Sequence, residues 1–456
     1  MPPVPNGRRS FSMTLSSMIS SPENQGSLKR FINEQELTPG GSMRQAVWFE
    51  PSPPYAAFGS GCYVVDVDGR RFTDFGNNFF SLVHGHAFAP VVEEIIKTAR
   101  TGTAFGLPTD HEVTLARLIQ DRIPSVQHVR FCNSGSEAVM FAIKAARALT
   151  ERPKIAKFEG AYHGSYDYAE VSLATQPGDW TSPFPISKRY SIGTPLSVSA
   201  DVVVLPWNDI EVCEALITEY GPSLAAILID LLPSRVGMIP PIDGFVERLT
   251  AAARNVGALI VADEVVSLRL SYEGASSIFG LDPDIVALGK VIGGGLPVGA
   301  VGGNADAMRV FDHVHGSPAV AHGGTFSANP LTMVAGAACL SNLGPAEIER
   351  INTMGSHLRD SLNAHFQTQG LDAQVTGYGS LFRLHLTRSP IFNFRDAYAD
   401  SANAAALKAI HAAMVKSHIL LTPNCSGALS TVMDENNIDI LVDSLSAAVK
   451  SHWRHA

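Results

Sequence analysis

Apolar residues along the middle of the chain fall into short, nearly unbroken runs, and helical periodicity fills the stretches between them. The runs at 129–131, 154–158, 202–205, 225–231, 258–263 and 285–288 read as buried strands. Spacing of three to four residues predicts helices over 137–149, 210–220 and 245–255. Strands apolar on both faces, alternating with helices, predict a mainly parallel sheet covered on each side. In such sheets ligands gather at the carboxyl ends of strands. Asp263 and Lys290 both fall at predicted strand ends, which makes them candidate neighbours in space.

The flanks read differently. Runs at 63–66 and 71–75 enclose Asp68-Gly69, a hairpin signal. A short helix is expected from Ser27 toward the turn Thr38-Pro39-Gly40-Gly41. From about residue 330 the pattern predicts a smaller α+β unit, with helices at 330–343, 345–369, 404–417 and 437–453 and strands at 380–386 and 419–422. The expected division is a tail at 1–25, an N-terminal segment at 26–88 forming part of the small domain, a large domain at 89–330, and a C-terminal small domain at 331–456. The tail is rich in Ser, Pro and Met and is expected to be disordered. Its Arg8-Arg9, followed by serines, faintly resembles an organelle-targeting segment, without the apolar stretch of a secretory signal.

Composition excludes several function classes. The 456 residues are 45% hydrophobic and 17% charged, enough for a large core. A net charge of -9 argues against nucleic acid or an anionic membrane as main partner. The five cysteines are scattered with no C-x-x-C pair, the usage of a reducing compartment, and a cytoplasmic protein is expected. No apolar run approaches the length of a membrane span. His84 and His86 stand two apart with no Cys or carboxylate cluster nearby in sequence, so no metal is expected there.

Five stretches carry candidate chemistry. In Leu288-Gly289-Lys290-Val291-Ile292-Gly293-Gly294-Gly295 a lysine follows a buried strand and precedes a bend stripped of side chains. It reads as an amine offered to a carbonyl, or else as a surface lysine before a turn. Asn133-Ser134-Gly135-Ser136-Glu137 opens a helix, where free backbone N–H groups suit a phosphate; Ser134 and Glu137 also fit a plain capping box. Tyr162-His163-Gly164 offers an aromatic plate for a planar ligand. Asp263 ends a buried strand, where its carboxylate needs a partner, either a protonated ring nitrogen or a cation such as Arg269. Thr325, in a glycine-rich polar loop, is a further candidate for phosphate oxygens. Phosphate site, aromatic plate, acid for a ring nitrogen and lysine for an aldehyde are the contacts that pyridoxal 5'-phosphate demands.

With these motifs in this order and spacing, the sequence resembles the class III aminotransferases, a branch of the fold-type I pyridoxal-phosphate enzymes, from about residue 40 to the C-terminus. Glutamate-1-semialdehyde aminomutases and β-amino-acid aminotransferases look most alike. The resemblance implies a large α/β domain with a mainly parallel seven-stranded sheet, plus a smaller α+β domain built from both chain ends. It implies that Lys290 tethers the cofactor aldehyde and shuttles a proton, and that Asp263 keeps the ring nitrogen protonated. Tyr162 and Val265 would pack the two ring faces. Ser134, Gly135 and Ser136 would hold the phosphate, joined by Thr325 of a second subunit in a homodimer.

Substrate residues follow from the same likeness. Arg44 aligns with an arginine that takes a substrate carboxylate in β-amino-acid aminotransferases. Asn424 stands about where those enzymes carry a second arginine, and Arg235 is an added cation that offers a substitute. Phe79 and Phe80 make the neighbourhood aromatic. An amine or aryl β-amino-acid donor and a keto acid, ketone or aldehyde acceptor are therefore expected. The alternatives are an aminomutase of the glutamate-1-semialdehyde type, an epimerase, or a cofactor-binding protein without catalysis.

Overall fold

The computed structural model describes residues 24–49 and 52–453, so the expected tail at 1–25, with Arg8-Arg9, lies outside the described residues except for its last two positions. A hairpin region forms first, with β1 (Ala56–Ser60), β2 (Tyr63–Asp66) and β3 (Arg71–Asp74). Next come β4 (His128–Cys132), β5 (Lys154–Phe158), β6 (Val202–Leu205), β7 (Leu224–Ile229), β8 (Leu259–Asp263), β9 (Ile285–Gly289) and β10 (Gly299–Gly303). The C-terminal part adds β11 (Gln374–Thr376), β12 (Leu381–His385), β13 (Ile419–Leu420) and β14 (Ser426–Ala428).

The central sheet has seven strands in the order β4-β10-β9-β8-β7-β5-β6. Every neighbouring pair from β9 to β6 is parallel, and β10 runs against both β4 and β9. β10 escaped the sequence reading for a physical reason. Three of its five residues are glycine, and the places where side chains would stand are taken. A Cβ on Gly299 would lie 2.0 Å from the Ser134 carbonyl oxygen, and one on Gly303 2.4 Å from that of Asp284. β1 and the helices Ala89–Ala99 and Asp110–Arg122 were likewise not predicted.

Two layers of helices cover the sheet. The helix Gly135–Thr150 buries Ala138, Ala142, Ala145 and Ala146 beside Val139, Phe141 and Ile143, and its small residues let it lie close over β9 and β10. Elsewhere Trp207 packs edge-on against Phe158, with ring centroids 5.0 Å apart, and at a tilt against Phe245. Burying each such ring contributes about 1.5–3 kcal/mol. Among the described residues no helix is long and apolar enough to cross a membrane.

Two small sheets join the chain ends. β13 pairs in parallel with β3, so the C-terminal part extends the N-terminal hairpin, while β11, β12 and β14 form an antiparallel sheet. Where these parts meet the central sheet lies an unusual turn. Asn77, Asn78, Phe79 and Phe80 have φ values of 45, 48, 56 and 71°, one turn of left-handed winding without glycine. Such backbone costs roughly 1–2 kcal/mol per residue, and surrounding bonds hold it. Asn77 donates its backbone N–H to Asp74 Oδ1 at 2.9 Å and its amide to the Ala428 carbonyl at 2.7 Å. Arg269, fully buried, donates to the carbonyls of Phe80 and Leu429 and to the Ser380 hydroxyl.

Candidate active site

A cavity of about 380 Å³ opens at the carboxyl ends of β4, β5, β7, β8 and β9. Each strand delivers its polar residue there because the apolar run stops at the sheet's edge. Lys290 follows β9 in a left-handed conformation, φ 48°, and its Nζ lies 5.8 Å from the centre of the buried Phe80 ring. Burial pulls the Lys290 amine down to about 8, against the opposing pull of Asp263 and Asp230.

Asp263, 5% exposed, ends β8. Its Oδ2 accepts from His163 Nδ1 at 2.7 Å and its Oδ1 from the Val265 backbone N–H at 3.1 Å. The sequence reading offered Arg269 as a partner for this acid; the structure instead ties Arg269 to carbonyls and a hydroxyl, and His163 takes the place. Burial lowers the His163 pKa more than the Asp263 contact raises it, so the ring is neutral with Nδ1 protonated toward the carboxylate. Its Nε2 is buried without a partner. Glu264, the next acid, faces away and is saturated: Ser267, Ser276 and the backbone of Ala275 and Ser276 all donate to it. Asp230, past the end of β7, faces Lys290's cavity, and burial and the Asp263 charge raise its pKa.

The helix start matches its expected form with one change. Ser134 caps the helix by accepting from the Glu137 N–H at 3.1 Å, but the Glu137 carboxylate reaches back to the Asn133 N–H at 2.6 Å, one residue before the cap. Gly135 and Ser136, whose N–H groups lack intrahelical acceptors, line the cavity at this helix start. Ser136 Oγ accepts from the Ser165 N–H at 3.0 Å, which leaves its proton to donate. Gly164 permits this approach: at φ 87°, a Cβ there would sit 2.3 Å from Ser136 Oγ. Gly135 and Gly289 let the main chain pack directly against Val265, because a Cβ on either would press its methyls at 3.0 and 3.3 Å.

Tyr162, half exposed, and Val265 both line the cavity. Arg44 lines its rim, donating to Asn78 Oδ1 at 2.9 Å and lying 5.9 Å from the Phe79 ring centre. Thr325 is exposed and is not among the residues lining this chain's cavity. Arg235 and Asn424 come together elsewhere, at a smaller cavity that shares no lining residue with that of Lys290. His84 bonds the Thr431 hydroxyl and the Cys339 carbonyl, and His86 bonds Asp74. Asp230 stands where the resemblance places a glutamate one methylene longer; His163 and Asn78 were not singled out for these positions by sequence, and the adjacency of His163 to Tyr162 was the available signal.

Pyridoxal 5'-phosphate fits the residues present. The cavity between Tyr162 and Val265 has room for a flat ring, with the Lys290 amine and the Asp263 carboxylate in its wall and a helix start for the phosphate.

Known proteins resemble this chain over most of its length. The Aminotransferase class-III family model matches residues 50–448. The chain is 37% identical over 434 residues to a glutamate-1-semialdehyde 2,1-aminomutase of Thermomicrobium roseum, covering 94% of this chain and 98% of that protein. It resembles the crystal structure of an omega-transaminase from Sphaerobacter thermophilus, at 46% identity and TM-score 0.91, covering 93% of this chain and 97% of the other. A beta-phenylalanine aminotransferase from Variovorax paradoxus matches at 32% identity and TM-score 0.84, covering 94% and 95%. The chain therefore belongs to the class III aminotransferases, enzymes of fold type I, and its cofactor is pyridoxal 5'-phosphate.

Proposed function

We propose that this enzyme transfers an amino group from an amine or aryl β-amino acid to a keto acid, ketone or aldehyde. One observation carries the choice of donor. A second cavity of about 580 Å³ adjoins that of Lys290 and shares Arg44, Asn78, Phe79 and Gly295 with it. Apolar side chains such as Val47, Phe49, Phe72 and Leu82 line it. Among the described residues, Arg44 is the one Arg or Lys besides Lys290 that lines either cavity. The larger cavity's acids are spoken for, Glu34 by Tyr55, Asp66 by Arg70 and Asp74 by His86, so a mostly apolar chamber with a single guanidinium at its rim suits a donor with a large apolar group and at most one carboxylate. A dicarboxylic donor would leave one charge buried and unpaired.

The bound cofactor supplies an electron sink for the carbon that carries the substrate nitrogen. The chain supplies the rest. Lys290 Nζ would hold the cofactor and, as a neutral amine, would move the proton of the substrate carbon that carries the nitrogen. Asp263, held by His163 and the Val265 N–H, would keep a proton on the ring nitrogen. Val265 and Tyr162 confine the ring, and the helix start with Gly135 and Ser136 takes the phosphate. Thr325 reaches the phosphate of the partner subunit in a homodimer. Its exposure beside Phe326, 61% exposed, supports that placement.

An aminomutase is the second reading, favoured by the 37% identity to the Thermomicrobium roseum protein. Purified holoenzyme assayed with 1-phenylethylamine, β-phenylalanine and glutamate, each with pyruvate, separates the two. Alanine formed fastest from the aryl donors is the expected result. Preference for glutamate overturns the donor class, and failure of every donor to aminate pyruvate overturns intermolecular transfer.

A further inference from the structure

The smaller cavity holding Arg235 and Asn424 is unlike an ordinary interdomain gap. It measures about 230 Å³ and lies between the loop after β7 and strand β12. Arg235, Arg383, Asn424, Thr175, Tyr398 and Phe394 line it. Among the described residues no Asp or Glu does. Arg383 is 8% exposed; its Nη1 donates to the Ser234 carbonyl at 2.6 Å, and its Nε is buried with no partner. Arg235 has one long contact, 3.5 Å, to the Leu173 carbonyl. Asn424 Oδ1 already accepts the hydroxyls of Thr422 and Ser426, at 2.6 and 2.9 Å, so its NH₂ is left to donate.

Glu159, the acid that Thr175 touches, is spoken for. It takes the Thr175 hydroxyl at 2.8 Å and Arg395 Nε at 2.9 Å. Two guanidiniums thus face one small space with donors to spare and no carboxylate in its wall. Burial, and then the Arg235 charge, push Arg383 down to about 10, so it stays cationic at neutral pH. A buried cation without a counter-ion is the arrangement that proteins avoid unless something fills it. Planar guanidinium forks take oxyanions in particular.

We propose that this cavity binds a small oxyanion, a carboxylate or phosphate group, at a site separate from that of Lys290. Its size admits inorganic phosphate or a short carboxylic acid. Separation rests on the walls: the two cavities share no lining residue. An anion here would bridge the loop after β7 to β12 and so clamp the central sheet to the small one.

The test is calorimetric titration of holoenzyme whose cofactor has been fixed by borohydride, which keeps the Lys290 cavity filled. Sodium phosphate and sodium succinate are titrated separately, each against sodium chloride of equal ionic strength. Saturable binding of either one, weakened at least about tenfold in Arg235→Gln, is the expected result, since a bond to a charged group carries that much. Phosphate alone or succinate alone identifies the group. Arg235 is exposed, and the Tm of Arg235→Gln beside the unaltered protein checks its fold; Arg383→Gln is the second variant. Equal binding of chloride, or binding undiminished in Arg235→Gln, overturns the site. Competition between succinate and pyruvate in amino transfer overturns its separateness. Failure of borohydride to fix any cofactor would instead overturn the reading of Lys290, and the titration would still report on this cavity.

Discussion

A lysine with an amine near pKa 8 is half prepared for its work, because only the neutral form attacks an aldehyde. The sign follows directly: below about pH 8 the cofactor-free protein carries mostly the protonated amine, and above it mostly the nucleophile. The rate at which stripped enzyme regains bound cofactor should therefore climb through about pH 8 and then level off, as read by the return of yellow absorbance. Asp263→Asn keeps a hydrogen bond to His163 but loses the charge that holds a ring proton. We expect turnover to fall by about 10²-fold or more while cofactor content is largely retained, measured by steady-state assay beside absorbance. Lys290 and Asp263 were legible in the sequence because a charged residue ending an apolar strand has few reasons to be there. His163 was not, since its partner lies 100 residues away. Arg235 and Asn424 were legible as departures, but their meeting with Arg383 depends on how β12 packs and leaves no local trace.

The central sheet was readable wherever its strands are apolar on both faces; β5 and β6 carry the predicted bounds. β10 was hidden because crowding, not hydrophobicity, selects its residues. Gly299→Val should accordingly destabilise the protein by about 1–3 kcal/mol or prevent folding, seen as a lowered Tm or loss of soluble protein. The same crowding presses β10 against Ser134, so the strand also fixes the start of the helix that takes the phosphate. The helices at 210–220 and 245–255 were readable from periodicity to the residue. The left-handed turn at Asn77–Phe80 had no signal beyond two asparagines, which tolerate such backbone better than other residues.

At the scale of the whole molecule, the pairing of β13 with β3 makes one unit of the two chain ends and sets it against the central sheet. The assembly prediction concerns Thr325. Thr325→Ala should weaken cofactor retention by about tenfold, the worth of one hydrogen bond to a charged group, with the fold unchanged. Dilution to monomer should do the same in the unaltered protein, checked by light scattering with cofactor release. The turn at Asn77–Phe80 sits at this junction, tied to Asp74, Ala428 and, through Arg269, to Leu429. Anyone wishing to widen the donor range by saturating position 79 would meet the main chain before the substrate. Valine, isoleucine and threonine would be rejected at φ 56° whatever room the chamber offers, whereas asparagine, aspartate, histidine and glycine would be admitted. A library sorted first by expression yield should show that split, and the handedness of four residues would then delimit which amines the enzyme can be taught to accept.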